Sequence, residues 1–309
     1  MANIKELSKT PERLTGGHRL CSGCGASIAV RQVLMGTKSP VVAGASTGCL
    51  EVATTIYPFT AWNIPFIHNA FENVAATISG AETAYRALKK KGKITKDIKF
   101  VAFGGDGGTY DIGLQSLSGA LERGHNFVYV CYDNEGYMNT GIQRSSATPT
   151  GASTTTAPAG KESYGKPQMR KDLTAIAAAH NIPYVAQATI SNWNDLVTKA
   201  EKAFAVDGPA FLNVLAMCHR GWRYPPQDTI KIAKLAVDTG FWPLIEFENG
   251  KWCFTYKPKT RKPVIEFLKV QGRFKHLFKE QNKPVLEQIQ KDLDNHWSYL
   301  EKLVQATSS

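Results

Sequence analysis

No stretch of the 309-residue chain comes near the ~18 consecutive apolar residues of a membrane-crossing helix, and its opening MANIKELSKTPERL lacks the apolar core of a signal peptide. A cytoplasmic protein with no membrane partner is expected. Cysteine is sparse. Six in a chain this long are too few for a disulfide scaffold, and a reducing compartment disfavours one, so clustered thiols are better read as metal ligands or redox groups. The H-E-x-x-H pattern and the P-loop are missing, and no segment repeats. The net charge of +11 is spread over lysines at 88–99, 257–263 and 273–283. These look like solvated helix faces and loops rather than a stripe of arginines interleaved with aromatics, so no nucleic-acid partner is expected. Steering of an acidic electron carrier is the sharper use for that charge.

What is present is the rhythm of an α/β protein. SPVVAGAST (39–47), IKFVAFGGDG (98–107), NFVYVCYDN (126–134), IPYVAQATI (182–190) and PAFLNVLAM (209–217) read as short buried strands. Between them, 71–92, 112–124, 171–181 and 193–208 carry apolar residues at helical spacing, with Gly92, Gly124, Asn181 and Gly208 where helix C-caps belong. A mostly parallel sheet with helices on both faces follows. Residues 1–240 are read as this α/β domain. Residues 241–309, with helical patterns at KPVIEFLKVQGRFKHLF and PVLEQIQKDLDNHWSYLEKLVQ, are read as a helical extension that packs on the core or on a partner subunit. Residues 145–168 form a long polar loop, a length that is usually functional or disordered.

Two strands end in chemistry. FVAFGGDGGTYDIG puts Asp106 among Gly104, Gly105, Gly107 and Gly108, where the backbone can approach a ligand closely. The next strand ends in Asp133, Asn134, Glu135 and Gly136. A carboxylate and an amide oxygen from adjacent strands suit a hard six-coordinate cation such as Mg²⁺, with a diphosphate and water filling the other positions. Gly-Asp-Gly alone is a common turn; with Asn134 twenty-eight positions after Asp106 it becomes specific.

That pair resembles the thiamine-diphosphate motif. Over nearly the whole chain, from GHRLCSGCG through STGCLEV, HNAFENVAATISG, GGDGGTYDIG, DNEGYMNTGIQ and TGFWPLIE to LKVQGRFKHLF, the sequence is similar to β subunits of pyruvate:ferredoxin oxidoreductase and related 2-oxoacid:ferredoxin oxidoreductases, oxalate oxidoreductase included. The resemblance implies that Asp106, Asn134 and the Gly136 carbonyl hold Mg²⁺. It places Gly105, Asp106, Gly107 and Gly108, together with Asn134, Glu135, Gly136, Tyr137 and Asn139, on the diphosphate-binding loops, with Cys49 beside the cofactor. Asn139 matches the amide that contacts substrate. Ala26 stands where some relatives carry a glutamate, which leaves one cofactor contact open.

A [4Fe–4S] cluster needs four thiolates, of which the Cys21-x-x-Cys24 pair supplies two. Cys49 and Cys218 each follow a strand at the sheet's carboxyl edge, whereas Cys131 is mid-strand and Cys253 lies in the extension. The resemblance assigns the cluster to Cys21, Cys24, Cys49 and Cys218. Zinc in a Cys₄ site is the alternative, although such sites usually show a second C-x-x-C. A thioredoxin-like dithiol would need a strand before Cys21, and none reads there. His219, Arg220 and Arg223 follow the fourth cysteine and either tune the cluster or are structural. His68 and Glu72, four apart, could share a helix face, although a capping role for the histidine is the simpler reading.

The implied reaction is oxidative decarboxylation of a 2-oxo acid, with electrons leaving singly through the cluster to ferredoxin. Pyruvate is the expected substrate, giving CO₂ and an acyl group that coenzyme A accepts. Oxalate, 2-oxoglutarate and branched 2-oxo acids are the alternatives within the class, and a non-redox thiamine enzyme with structural zinc is the more distant one. The resemblance further implies an α-type subunit that supplies the aminopyrimidine glutamate and completes the pocket. This chain lacks the C-x₂-C-x₂-C-x₃-C run of a ferredoxin, so further clusters are expected on a ferredoxin-like subunit.

Overall fold

The computed structural model describes residues 3–308. Its centre is an eight-stranded sheet in the order β2-β1-β3-β4-β6-β5-β7-β8. The strands are β1 (Val41–Ser46), β2 (Phe66–Asn69), β3 (Lys99–Gly105), β4 (Val128–Asp133), β5 (Tyr184–Thr189), β6 (Ala210–Leu215), β7 (Leu244–Glu248) and β8 (Lys251–Tyr256). The first six run parallel, and β7 runs antiparallel to both of its neighbours, β5 and β8. All five strands expected from the apolar runs are present.

Strand side chains alternate between two cores, as the period of two dictates. Val101, Phe103, Val128 and Val130 pack with the helices Gly25–Leu34 and Trp193–Ala205. Phe100, Ala102, Tyr129 and Cys131 pack with Val74–Lys90, Leu114–Glu122 and Leu173–Ala178 on the other face. Both faces are therefore covered, which parallel sheets require. Gly92 and Gly124 close two of these helices at positive φ, 68° and 69°, as expected of C-caps.

The stretch after 240 differs from the helical reading. It opens with the β7–β8 hairpin, joined at Asn249 and Gly250 (φ 50° and 82°), and β7 pairs with β5. Only then come a short helix, Ile265–Leu268, a 3₁₀ segment, Gly272–Phe278, and the long helix Lys283–Thr307. That last helix buries Leu293, Trp297 and Leu300 and anchors itself by a Trp297 Nε1–H bond to the Gly240 carbonyl at 2.7 Å. Among the described residues no helix is long and apolar enough to cross a membrane.

Four neighbouring strands, β1, β3, β4 and β6, lie side by side and parallel. Their carboxyl ends lead directly into Cys49, Asp106, Asn134 and Cys218. The topology thus gathers residues from four distant stretches along one edge, where ligands bind in open α/β sheets.

Candidate cofactor and cluster site

Asp106 caps a single π-helical turn, Gly107–Asp111, at the end of β3 and is fully buried. Irregular turns of this kind recur at functional sites. Its Oδ1 accepts the Asn134 backbone N–H at 3.1 Å, and its Oδ2 accepts the Ser145 hydroxyl at 2.5 Å. The inward atom of the Asn134 amide lies 3.0 Å from Asp106 Oδ1 and 2.9 Å from the Gly136 carbonyl oxygen. With nitrogen inward the amide donates to both. With oxygen inward, three oxygens face one point, and cis ligands on an octahedral Mg²⁺ at about 2.0–2.1 Å sit about 3 Å apart. The structure thus brings the Asn134 amide beside both of the other residues singled out as cation ligands. Burial, and next to it the charge of Asp133, pushes the Asp106 carboxyl well above its ordinary range, and a cation at that point would reverse the trend.

Next to this point runs a groove, open on one side, lined by Cys49, Gly105, Gly107, Gly108, Asn134, Gly136, Tyr137 and Asn139 among others. Tyr137 lies flat against Gly107, where a Cβ would come within 2.3 Å of its ring, so residue 107 must be glycine. The Tyr137 hydroxyl donates to the Gly107 carbonyl at 3.1 Å.

Two hydroxyls in this region were not evident from the sequence. Ser46 Oγ and Tyr132 Oη are buried and have no hydrogen-bond partner. Tyr132 lines the groove, and Ser46 Oγ lies 3.2 Å from the Cβ position of Gly108. Buried polar groups are normally paired, so two orphans at one glycine-lined cradle fit a phosphate-bearing ligand. The signal available beforehand was Gly44-Ala45-Ser46-Thr47-Gly48, a G-x-S-x-G spacing at a strand-to-helix turn. A nucleophilic serine would need a histidine bonded to it, and among the described residues Ser46 Oγ has no partner at all.

Glu135 departs from the expected cofactor contact. Its φ of 64° turns the carboxylate away from the groove, into ion pairs with Arg170, at 2.8 Å, and with Arg273. Arg170 also pairs with Asp133 at 2.6 Å, and Arg273 stacks on Trp222, whose Nε1–H donates to the Asn134 carbonyl at 2.7 Å. The alternation of acid and amide at 133–135 did not reveal this outward role.

The four edge cysteines sense one another. Burial pushes the Cys24 thiol up to about 11, with Cys218 and Cys21 adding to the rise and the Ala26 and Ser27 N–H groups opposing it. Cys49 is pushed up to about 12 by burial and then by Cys218, Cys24 and Cys21. Cys218 is raised by burial, while its Sγ accepts the Gly221 N–H at 3.4 Å. Gly25 lets the C-x-x-C loop lie on β6's exit: its N–H donates to the Met217 carbonyl at 3.1 Å, and a Cβ there would meet residues 216 and 217 at 2.6 Å. Cys131 and Cys253 stand apart, the first buried mid-strand and the second donating to Glu246 at 3.5 Å.

Among the described residues no three His, Cys, Asp or Glu side chains converge on one ion. Cys24, Cys49 and Cys218 nonetheless lie within electrostatic reach of the other edge thiols, whose charge raises each of them further. His219 sits edge-on to Tyr224, its pKa lowered by burial and then by Arg220. Arg220 and Arg223 are exposed. His68 lies on β2 and pairs with the buried Glu51, not with Glu72.

Residues 34–214 match the model of the thiamine pyrophosphate enzyme C-terminal TPP-binding domain. The chain is 55% identical over 316 residues to pyruvate synthase subunit PorB of Thermotoga maritima, an alignment spanning 99% of this chain and 97% of that protein. The chain belongs to the PorB family. A second PorB, from Methanocaldococcus jannaschii, is 54% identical over 92% of this chain and 94% of its own length. The ketoisovalerate oxidoreductase subunit VorB of Pyrococcus furiosus is 44% identical over 98% and 97%. Among solved structures, a 2-oxoglutarate:ferredoxin oxidoreductase from Magnetococcus marinus superposes with a TM-score of 0.56 at 19% identity, covering 90% of this chain and 92% of that one, a likeness of fold. Family and fold agree with the resemblance drawn from the motifs.

Proposed function

We propose that this chain is the thiamine-diphosphate-binding β subunit of a cytoplasmic pyruvate:ferredoxin oxidoreductase, converting pyruvate and coenzyme A to acetyl-CoA and CO₂ and passing electrons singly through a [4Fe–4S] cluster to ferredoxin. The observation that carries it is the Asn134 amide, which lies 3.0 Å from Asp106 Oδ1 and 2.9 Å from the Gly136 carbonyl oxygen beside a groove that also contains a proposed cluster cysteine. Identity runs from 55% to 46% with relatives named for pyruvate and is 44% with the one named for ketoisovalerate, which favours pyruvate over a branched 2-oxo acid.

In this reading Asp106, Asn134 and the Gly136 carbonyl hold Mg²⁺, and Gly105, Gly107 and Gly108 leave room for the diphosphate. Ser46 and Tyr132 donate their free hydroxyls to it. Arg170 and Arg273 clamp Glu135, and the clamp keeps Asn134 and Gly136 turned inward. Thiamine diphosphate supplies, when bound, a carbon that adds to the keto group and takes the electron pair released with CO₂. Asn139 faces that chemistry from the groove wall. Cys21, Cys24, Cys49 and Cys218 hold the cluster, and the N–H groups of Gly221, Ala26 and Ser27 stabilise their thiolates. As the family resemblance implies, the carboxylate that activates the cofactor's aminopyrimidine comes from an α-type subunit. A ferredoxin-like subunit carries the further clusters.

Anaerobic purification with the natural partners tests this, with iron, acid-labile sulfide and zinc measured and cluster reduction followed after pyruvate and then oxalate are added. Stoichiometric iron reduced by pyruvate with coenzyme A supports the reading. Zinc in place of iron, with no reduction by any 2-oxo acid, defeats it, and reduction by oxalate alone reassigns the substrate.

A further inference from the structure

Beside the groove, sharing Tyr137 and Thr140 with it, opens a cleft whose other walls are Gln143, Arg144 and Thr156. Arg144 is half-buried and differs from the other arginines near the site. Arg170 and Arg273 are committed to buried carboxylates. The Arg144 guanidinium instead touches only the neutral Gln168 Oε1, at 3.3 Å, and among the described residues it forms no ion pair. The acid on the adjoining wall, Asp111, is taken by the Tyr137 hydroxyl, the Ser146 N–H and Lys171.

The polar loop 145–168 builds the far wall. Its Thr155 N–H donates to the Ile142 carbonyl at 3.0 Å and its Thr155 hydroxyl to the Gly141 carbonyl at 2.9 Å, which fixes Thr156 against the Arg144 backbone N–H at 2.9 Å. Gln143 pairs with Thr140 through both ends of its amide and keeps one N–H over, so a planar cation with unused donors flanked by that N–H and a hydroxyl matches phosphate geometry. It opens onto a cradle already suited to phosphate.

We propose that Arg144, with Gln143 and Thr156, forms an outer phosphate subsite at the mouth of the cofactor groove. The proposal rests on that groove being the diphosphate site. The phosphate belongs either to the thiamine diphosphate as it enters or to a phosphorylated acyl acceptor that reaches the cofactor through the cleft.

The test compares the assembled enzyme with its Arg144→Gln and Arg144→Lys variants, measuring the activation constant for thiamine diphosphate, the KM for coenzyme A and the Tm. In Arg144→Gln one of the two constants rises about tenfold, and in Arg144→Lys it rises less, because the charge remains. A rise in the thiamine diphosphate constant assigns the subsite to the cofactor, and a rise in the coenzyme A constant assigns it to the acceptor. Neither constant moving, or both moving with an equally lowered Tm in the two variants, overturns the subsite. A wild-type enzyme indifferent to thiamine diphosphate would instead defeat the groove reading itself.

Discussion

The Cys49 thiol donates to the Asn139 side-chain oxygen across 3.6 Å, although the two residues are 90 positions apart. One follows β1 and carries a proposed cluster ligand. The other lies on the loop after β4 and carries the proposed substrate contact. In the proposed reading a cluster ligand and a substrate contact therefore touch directly.

Removing the Asp106 carboxylate should abolish Mg²⁺-dependent cofactor binding. Asp106→Ala is expected to weaken thiamine diphosphate binding by more than a hundredfold in calorimetric titration with Mg²⁺. Ser145→Ala, which leaves the carboxylate but removes its 2.5 Å donor, should cost a factor of about ten, as expected of a charged hydrogen bond.

The cysteines divide four to two. Alanine at Cys21, Cys24, Cys49 or Cys218 should strip the iron from the anaerobically purified complex, whereas Cys131→Ser and Cys253→Ser should retain it. Iron lost on replacing Cys253 would mean that the edge of the sheet is not the cluster site.

Ser46→Ala and Tyr132→Phe remove hydroxyls that have no protein partner. Stability of the cofactor-free chain should therefore stay within about 0.5 kcal/mol of wild type or rise slightly, since a buried unpaired group is itself unfavourable. Thiamine diphosphate affinity should fall by about five- to tenfold per hydroxyl. Denaturant unfolding and titration on the same preparations separate the two effects.

Arg273→Met leaves Glu135 with only Arg170, which Asp133 already shares. Breaking a buried pair from one side costs about 3–5 kcal/mol. A matching drop in unfolding free energy is expected, with partial recovery in the Arg273→Met, Glu135→Gln double variant.

Lys166 is buried against the carbonyls of Ser146, Thr148 and Met169. Burial, and then Arg144 and Arg170, lowers its pKa from 10.5 to about 8. Between those values the unfolded chain holds a proton that the folded chain has released, so this residue makes stability rise with pH from about 8 to 10.5. Below about pH 8 the burial penalty is present in full. Melting curves across that range should show a steeper upward trend in wild type than in Lys166→Met.

Much of the site was legible because strand ends and ligand residues coincide. Gly-Asp-Gly and Asn134 follow apolar runs, and so do Cys49 and Cys218. The hairpin was missed although LIEFENGKWCFTY carries its signal: alternating apolar residues around Asn249-Gly250, a dipeptide that adopts the positive φ of a two-residue turn. β2, with four residues, is too short to show a period. Glu135 was misread because nothing local distinguishes a carboxylate facing a ligand from one facing an arginine 138 positions away. Ser46 stood in a visible G-x-S-x-G spacing, but its orphan hydroxyl, like that of Tyr132, is a property of the packed structure.

The Arg273 clamp has a consequence for biosynthesis. The loop that bears Asn134 is translated long before the arginine that steadies it, and at ~5–20 residues per second the interval over 138 residues is about 7–28 s. Throughout that time the β3 and β4 ends exist on the nascent chain without their tether, which arrives only with the 3₁₀ segment Gly272–Phe278. In the proposed reading the cofactor loop is therefore complete only once Arg273 has been made, and a ribosome stalled after β8 would hold the eight strands with an untethered binding loop.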